Sequence, residues 1–189
     1  RLELVVEIIK KLLIQDKKIL VLSDRRAHLT NIYTAVTDRE ISDIGYYVGG
    51  MKQKDLKLSE EKSIILGTYS MSSEGMDIPD IDAIIFASPK SDIIQSIGRM
   101  LRKKHDNPPI AWDIVDNFSI FPRQYIKRRT YYRKMKYNIN IYEINDNPNI
   151  SIESMVSQLE RLPKKDCKKK RQKKKEPELA EYMFIKEEN

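Results

Sequence analysis

Short apolar runs, each bounded by polar residues and separated from the next by a helical pattern, constrain the fold of this chain most strongly. The runs are continuous rather than alternating, which is typical of strands buried on both faces. Strands of this kind alternating with helices predict an α/β domain with a mainly parallel sheet covered by helices. The predicted strands are Lys18–Ser23, Ile44–Val48, Ser63–Gly67, Asp82–Ala87 and Ile110–Val115.

Helical periodicity marks the segments between and after these strands. In the helix that begins at Asp92, Ile94, Ile97 and Leu101 are expected to share one face and Arg99 and Arg102 another. A short edge strand is predicted at residues 140–144. The predicted helices are Leu2–Ile14, Arg26–Val36, Asp92–Lys103, Pro122–Tyr137 and Ile152–Leu162.

Charge is concentrated at the end of the chain. The net charge is +7, yet Arg161–Lys175 alone contains ten Lys and Arg against one Asp, and Glu176–Asn189 contains five Glu against one Lys. A basic run of this kind is typical of binding to a polyanion such as nucleic acid. The alternative is a solvated, disordered tail that has no partner, and the sequence leaves both interpretations open.

Several classes of protein are disfavoured by what the chain contains. The single cysteine, Cys167, cannot build a disulfide framework and indicates an intracellular, reducing compartment. The two histidines, His28 and His105, do not have zinc-ligand spacing, so no metal site is predicted. No apolar run approaches the roughly 18 residues of a membrane span, which predicts no membrane partner.

Hydroxyl, glycine and arginine residues follow the predicted strands. In a parallel sheet, ligands bind beyond the carboxyl ends of the strands. Backbone N–H groups in glycine turns and arginine side chains are suited to phosphate. The segments that would meet at this edge are Ser23–Arg26, Gly49–Gly50, Thr68–Pro79 and Gln95–Arg102. Taken singly, each could also be a polar loop or a solvated surface helix.

Two of these segments together resemble motifs of superfamily 2 helicases. Thr68–Pro79, which ends in Glu-Gly-Met-Asp-Ile-Pro, resembles motif V, and Gln95–Arg102, with its Gln-x-x-Gly-Arg-x-x-Arg pattern, resembles motif VI. Ile19–Arg25 is similar to motif IV, and Tyr47–Gly50 is similar to the glycine turn that follows it. The resemblance covers roughly Leu2–Tyr137.

The resemblance implies a RecA-like three-layer α/β/α fold with a mainly parallel sheet, followed by a C-terminal helix and a basic tail. The implied organisation is a helicase C-terminal domain, the second RecA-like domain, at residues 1–137. A C-terminal extension follows at residues 138–162, and a Lys-rich then acidic tail at residues 163–189.

In this family ATP lies between two RecA-like halves. The sequence has neither a P-loop nor an acidic Asp-Glu box, so the Mg²⁺ ligands are expected on an N-terminal RecA-like domain of the same polypeptide. The chain begins with Arg1 rather than Met, which also leads us to expect part of a longer protein that hydrolyses no ATP by itself. The implied catalytic arginine fingers are Arg99 and Arg102, and the implied ATP-binding residues are Gly75, Asp77, Gln95, Arg99 and Arg102.

The other side of the same edge is implied to hold one nucleic-acid strand. Such contacts to phosphate carry little sequence information, as a translocating motor requires. The implied contacts are Ser23, Arg25, Gly50 and Thr68.

DNA is the favoured nucleic acid, and RNA remains an alternative. Motif VI begins with Gln95 where DEAD-box RNA helicases have His, and the Thr68-to-Gly75 spacing is one residue longer than is usual in them. Both features look more like the DNA-acting branch that includes the phage recombination-repair and poxvirus transcript-release helicases. The Lys-, Ile-, Asn- and Tyr-rich composition is compatible with a large DNA virus such as African swine fever virus, which would place the protein in the host cytoplasm, virus factory or virion.

Other functions remain open at this point. A translocase or annealing enzyme that does not separate strands would carry the same motifs. A non-catalytic basic nucleic-acid-binding module on a RecA-like scaffold would explain the tail and the missing P-loop, but it has no need of motifs V and VI together. A nuclease or metal hydrolase is disfavoured because the carboxylates are scattered rather than placed after successive strands.

Overall fold

Five strands form an all-parallel sheet in the computed structural model, as the apolar runs predict. The sheet order is β2-β3-β1-β4-β5, and the three central strands are buried along their whole length. The strands are β1 at Ile19–Ser23, β2 at Ile44–Tyr47, β3 at Ile64–Thr68, β4 at Ala83–Phe86 and β5 at Ile110–Asp113. The predicted mainly parallel sheet is therefore confirmed, with strand ends shifted by one or two residues.

The structure describes residues 1–74, 78, 80–100, 109–142, 144, 152, 156 and 184–185. For residues 73, 74, 99, 100, 184 and 185 it describes the backbone alone. The chain packs as two units, Arg1–Ile114 and Val115–Asn189. The functional boundaries that the resemblance implies at residues 137 and 162 stay predictions.

Helices connect the strands of the first unit. They are α1 at Leu2–Ile14, α2 at Arg26–Thr37, α3 at Gln53–Glu60, α4 at Tyr69–Glu74 and α5 at Ile94–Met100. In the sheet order, the connection from β1 to β2 runs leftward, whereas those from β2, β3 and β4 to the next strand run rightward. Right-handed crossovers therefore place α2 on one face and α3, α4 and α5 on the other. Packing agrees, since α1 lies against α2 and α4 against α5. The result is the RecA-like α/β/α arrangement.

The second unit contains α6 at Phe121–Lys134 and a parallel pair of short strands, β6 at Val115–Asp116 and β7 at Phe184–Ile185. The single predicted strand Ile110–Val115 is interrupted at Ile114, where β5 ends and β6 begins. The predicted edge strand at residues 140–144 is wrong, because residues 140–142 have no regular structure and Ile144 forms only an isolated bridge. Of the predicted helix at residues 152–162, Ile152 and Val156 are helical and the rest lies outside the described residues.

Two features of α5 differ from the sequence-based prediction. The helix begins at Ile94, because the Asp92 carboxylate Oδ1 accepts a hydrogen bond from the Ile94 backbone N–H at 3.1 Å and so caps the first turn. Ile94 is 50% exposed, whereas Ile93 and Ile97 are buried. Ile94 and Ile97 thus lie three residues apart in the helix, as predicted for one face, but only Ile97 of the two is buried, and Leu101 lies outside the described residues.

Helix α3 was not predicted, because its sequence is mostly polar. Only Leu56 and Ser59 of its residues are buried. It packs on β2 through a close approach at Gly45, where an added Cβ would lie 3.1 Å from the Ser59 Cα. A larger residue at position 45 would therefore push the helix away from the sheet.

Three helices end in the same way without a glycine. After α1, the Lys17 N–H donates to the Leu12 carbonyl and the Asp16 N–H donates to the Leu13 carbonyl, the paired bonds of a Schellman motif. The same pair of bonds closes α2 around Glu40 and α6 around Lys136. All three central residues have φ between 54° and 62°, the left-handed region that favours glycine.

Replacing Glu40 with glycine is expected to raise the free energy of unfolding of the first unit by about 0.5–1 kcal/mol, because glycine has no Cβ to clash in this conformation. Urea unfolding followed by the fluorescence of Trp112, the single tryptophan, measures the change. Glu40→Ala is the matched control, since it removes the same side chain but keeps the Cβ. A glycine variant no more stable than the alanine variant would contradict the prediction.

Candidate functional site

A cleft of about 460 Å³ lies at the carboxyl ends of the parallel strands. It includes the point where the connections of the neighbouring strands β1 and β4 leave toward opposite edges of the sheet, which is where open α/β sheets bind ligands. Four loops, those after β1, β2, β3 and β4, contribute to its lining. The lining residues are Asp24, Arg26, Gly49, Thr68, Tyr69, Ser70, Lys90, Asp92, Gln95 and Ser96.

The loop after β1 is organised around a buried hydroxyl. The Ser23 side chain is fully buried, and its Oγ lies 3.2 Å from Nδ1 of His28 and accepts a hydrogen bond from the Arg25 N–H at 3.3 Å. Burial, followed by the positive charges of Arg1 and Arg25, lowers the pKa of His28 below its usual value, which favours the neutral imidazole. The Ser23 hydroxyl thus supports the loop backbone, while the Arg25 side chain is exposed.

Polar contacts tie together the loops after β1, β3 and β4. The Asp24 N–H donates to Ser88 Oγ at 2.9 Å, and the Tyr69 hydroxyl donates to the Ser88 carbonyl at 2.7 Å. Lys90 Nζ forms an ion pair with Asp24 Oδ1 at 2.9 Å and lies 5.3 Å from the centre of the Tyr69 ring. An exposed pair of this kind contributes little stability, so its effect is to fix where the three loops lie.

The glycine turn after β2 forms part of the cleft lining. The Arg26 guanidinium donates a hydrogen bond to the Gly49 carbonyl, which joins α2 to this turn. Gly50 has φ +85° and is exposed, with open space where a Cβ would stand. Of the two glycines, Gly49 lines the cleft, whereas Gly50 presents an open backbone beside it.

A buried pair of hydroxyls joins α4 to α5. Ser72 Oγ donates to the Tyr69 carbonyl at 2.9 Å and lies 3.0 Å from Ser96 Oγ. Ser72 and Ser96 are both buried, so the hydrogen bond between them is protected from water. The segment that follows β3 and the helix that follows β4 are therefore held as one assembly.

This assembly brings two of the sequence-predicted residues into one cleft. Thr68 Oγ1 lies 3.2 Å from Ser70 Oγ at the end of β3, and Gln95 is exposed in the first turn of α5. Gly98 is also exposed, and an added Cβ there would meet open space. Position 99 is helical and comes four residues after Gln95, so it belongs to the same face of α5.

The remaining predicted residues are not all described. Gly75, Asp77 and Arg102 lie outside the described residues, and only the backbone of Arg99 is described. Arg26, Tyr69, Lys90 and Asp92 also line the cleft, although none of them was predicted as an individual site residue. Arg26 and Tyr69 lie in segments predicted to meet at this edge, and Lys90 and Asp92 could have been added because they too come shortly after a predicted strand.

Two other kinds of feature are missing from the described ranges, a metal-ligand cluster and a membrane-spanning helix. Among those residues, no group of three or more His, Cys, Asp or Glu side chains is placed to hold a metal ion. No described helix is long and apolar enough to cross a membrane.

Comparison with known proteins shows which family and which relatives this chain is similar to. Residues 2–104 match the family described as the helicase conserved C-terminal domain. A protein of Acanthamoeba polyphaga mimivirus, provisionally named an ATP-dependent RNA helicase, is 41% identical over 143 residues, covering 74% of this chain and 28% of the relative. A protein of African swine fever virus, strain Badajoz, with the same provisional name, is 29% identical over 121 residues, covering 59% of this chain and 24% of the relative.

A solved structure shares the fold. The crystal structure of bacteriophage T4 UvsW superposes with a TM-score of 0.57 over 71% of this chain and 32% of that protein, at 24% identity. The chain thus spans about a quarter to a third of the length of these proteins. The viral relatives match it in sequence and the phage protein in the fold.

Proposed function

Because the chain belongs to the helicase conserved C-terminal domain family, we propose that it is the second motor domain of an ATP-dependent superfamily 2 helicase or translocase. The observation that carries the proposal is the shared cleft, to which the end of β3 contributes Thr68 and α5 contributes Gln95. Both residues lie within the matched range, at the end of the sheet where ligands bind. The Ser72–Ser96 hydrogen bond holds together the two segments that would contact nucleotide and nucleic acid.

The cleft has the chemistry of one half of an ATP site. Gln95, Thr68 and Ser70 offer amide and hydroxyl groups, and Arg26 offers a guanidinium, all of which can donate hydrogen bonds to phosphate. The carboxylates of Asp24 and Asp92 offset part of this positive charge, so the described lining is not by itself a complete phosphate cradle. ATP bound between two motor domains would supply the transferable phosphoryl group, with Mg²⁺ held by the N-terminal RecA-like domain of the longer polypeptide.

Helix α5 would carry the catalytic contribution of this chain. We assign Arg99 and Arg102 as arginine fingers, which stabilise charge that develops on the transferred phosphoryl group. Gln95 would sense the terminal phosphate, and Gly75 and Asp77 would lie near the ribose. The exposed Gln95 and the open space at Gly98 support this assignment, because they leave the face of α5 that includes position 99 accessible to a second domain.

The loops after β1 and β2 would grip one nucleic-acid strand. Arg25 and Gly50 are exposed and can meet phosphate directly, and Thr68 presents its hydroxyl at the cleft. Ser23 would contribute through the backbone of its loop, because its hydroxyl is bound to His28 and to the Arg25 N–H. We favour DNA, on the basis of Gln95, while the names of the viral relatives point to RNA. The viral relatives also support a site of action inside the infected cell.

Purified alone, the 189-residue chain is expected to show no nucleic-acid-stimulated ATP hydrolysis, because its sequence contains no P-loop. Joined to a P-loop motor domain in the longer polypeptide, it is expected to support hydrolysis, which a phosphate-release assay measures. Robust turnover by the chain alone would contradict the half-motor proposal. A longer polypeptide that binds nucleic acid but hydrolyses nothing would favour a non-catalytic binding module. Strand-displacement and triplex-displacement assays then separate a helicase from a translocase.

A further inference from the structure

Helix α6, in the second unit, has a strongly basic exposed face. Its 14 residues include no Asp or Glu. Arg123, Lys127, Arg133 and Lys134 are exposed, while Arg128 is directed inward, 2% exposed, with its guanidinium 5.7 Å from the Tyr125 ring centre. The helix therefore separates one buried arginine, which packs on an aromatic ring, from four cationic side chains that face solvent.

Three of the four exposed cations, Arg123, Lys127 and Lys134, follow the spacing of a single helical stripe. Positions 123, 127, 130 and 134 succeed one another by three or four residues, so they share one face. At about 1.5 Å per residue, the stripe from Arg123 to Lys134 extends roughly 16 Å along the helix. Thr130 lies in the middle of the stripe and satisfies its own hydroxyl with the Ile126 carbonyl at 2.9 Å. The result is a row of positive charge with no carboxylate within it.

Among the described residues of the second unit, no carboxylate neutralises this face. In the part of the second unit that the structure describes, the only acidic residue is Asp116, which is 8% exposed. Among the described residues, none forms an ion pair with Arg123, Lys127, Arg133 or Lys134. Since these exposed cations repel one another, a polyanion that bridges them would be favoured.

We propose that the exposed face of α6 binds the phosphate backbone of a nucleic acid, as a second contact surface in addition to the strand grip proposed for the β1 and β2 loops. A duplex carries one negative charge for roughly each 1.7 Å of its axis, so a face about 16 Å long meets several phosphates at once. Phosphate contacts of this kind hold the nucleic acid without reading its sequence. Exposed Phe118 and Ile120 flank the start of the helix and provide apolar contact beside the cations.

The test compares two matched pairs of substitutions in the full chain. Lys127→Gln/Lys134→Gln removes two charges from the α6 face, and Lys54→Gln/Lys57→Gln removes two equally exposed charges from α3. Binding to a fluorescein-labelled 20-base-pair duplex is measured by anisotropy, without ATP, over a range of NaCl concentrations. Each lost phosphate contact reduces the slope of log Kd against log salt by about 0.9. The α6 pair is therefore expected to flatten this slope by up to about 1.8, whereas the α3 pair is expected to leave it unchanged.

Two further features keep the result interpretable. The basic run Arg161–Lys175 is present in both variants, so its contribution cancels in the comparison. Lys127→Arg/Lys134→Arg retains the charges and is expected to restore the slope, with far-ultraviolet circular dichroism confirming that each variant is folded. Equal slopes for the α6 and α3 pairs would overturn the proposal and leave α6 as a protein-docking face. Because no hydrolysis is measured, that failure is distinct from a failure of the motor function.

Discussion

Replacing Arg99 with alanine, in a longer polypeptide that joins this chain to a P-loop motor domain, is expected to slow ATP hydrolysis by about 10³–10⁵-fold. An arginine finger acts on charge that develops only in the transition state, so its loss lowers kcat more than it weakens ATP binding. Nucleic-acid binding is expected to persist, because the proposed strand contacts lie in other loops. A phosphate-release assay at saturating ATP and nucleic acid measures the change.

Two further variants sharpen that experiment. Arg39→Ala removes an arginine that pairs with Glu3 at 2.7 Å, away from the cleft, and is expected to leave hydrolysis unchanged. Arg99→Lys retains the charge but loses the planar fork that grips phosphate, so it is expected to rescue only part of the rate. An unchanged rate in Arg99→Ala would remove Arg99 from the mechanism. Loss of both hydrolysis and nucleic-acid binding would indicate a folding defect instead.

Replacing Phe86 with alanine is expected to destabilise the first unit by about 3–5 kcal/mol, the usual cost of opening a cavity at a buried phenylalanine. Phe86 ends β4 and is 2% exposed, and its ring lies nearly parallel to that of Tyr69 with centroids 6.3 Å apart. The Tyr69 hydroxyl donates a hydrogen bond to the Ser88 carbonyl, and the Tyr69 ring lies beneath Lys90 Nζ. The substitution should therefore weaken the core and the floor of the cleft together.

Urea unfolding monitored by Trp112 fluorescence tests this prediction. Trp112 lies on β5, where it pairs with Ile85 of β4, so its signal reports the strand that carries Phe86. Phe86→Leu retains most of the apolar volume and is expected to cost about half as much or less. If Phe86→Ala lowers the free energy of unfolding by less than about 1 kcal/mol, with an unchanged denaturant slope, the ring is not packed as described.

Local patterns predicted the elements that bury either a continuous apolar run or one regular apolar face. The bounds of α1 agree with the prediction at both ends, and β1 and β3 differ from it by a single residue at one or both ends. Continuous apolar runs and helical spacing record burial within a few neighbouring residues, so no long-range information is needed. The polar helix α3 was missed for the same reason, because only two of its residues are buried. The left-handed residues that close α1 and α2, Asp16 and Glu40, were not predicted because neither is a glycine.

The site depends on contacts that no local pattern contains. The Ser72–Ser96 hydrogen bond and the Lys90–Asp24 ion pair join residues 24 and 66 positions apart. They exist because β1 lies between β3 and β4 in the sheet, which brings the loops after these strands together. The burial of the Ser23 hydroxyl is another such outcome, since it depends on His28 in the first turns of α2.

By itself, the sequence determined the α/β class, most of the elements and the placement of hydroxyl, glycine and arginine residues after the strands, because burial periodicity and residue chemistry are properties of short segments. Only the tertiary structure decided the strand order, which loops share a cleft and which hydroxyls point inward. Those features depend on the packing of residues far apart in the chain, and packing is fixed only when the whole sheet and its helices are assembled.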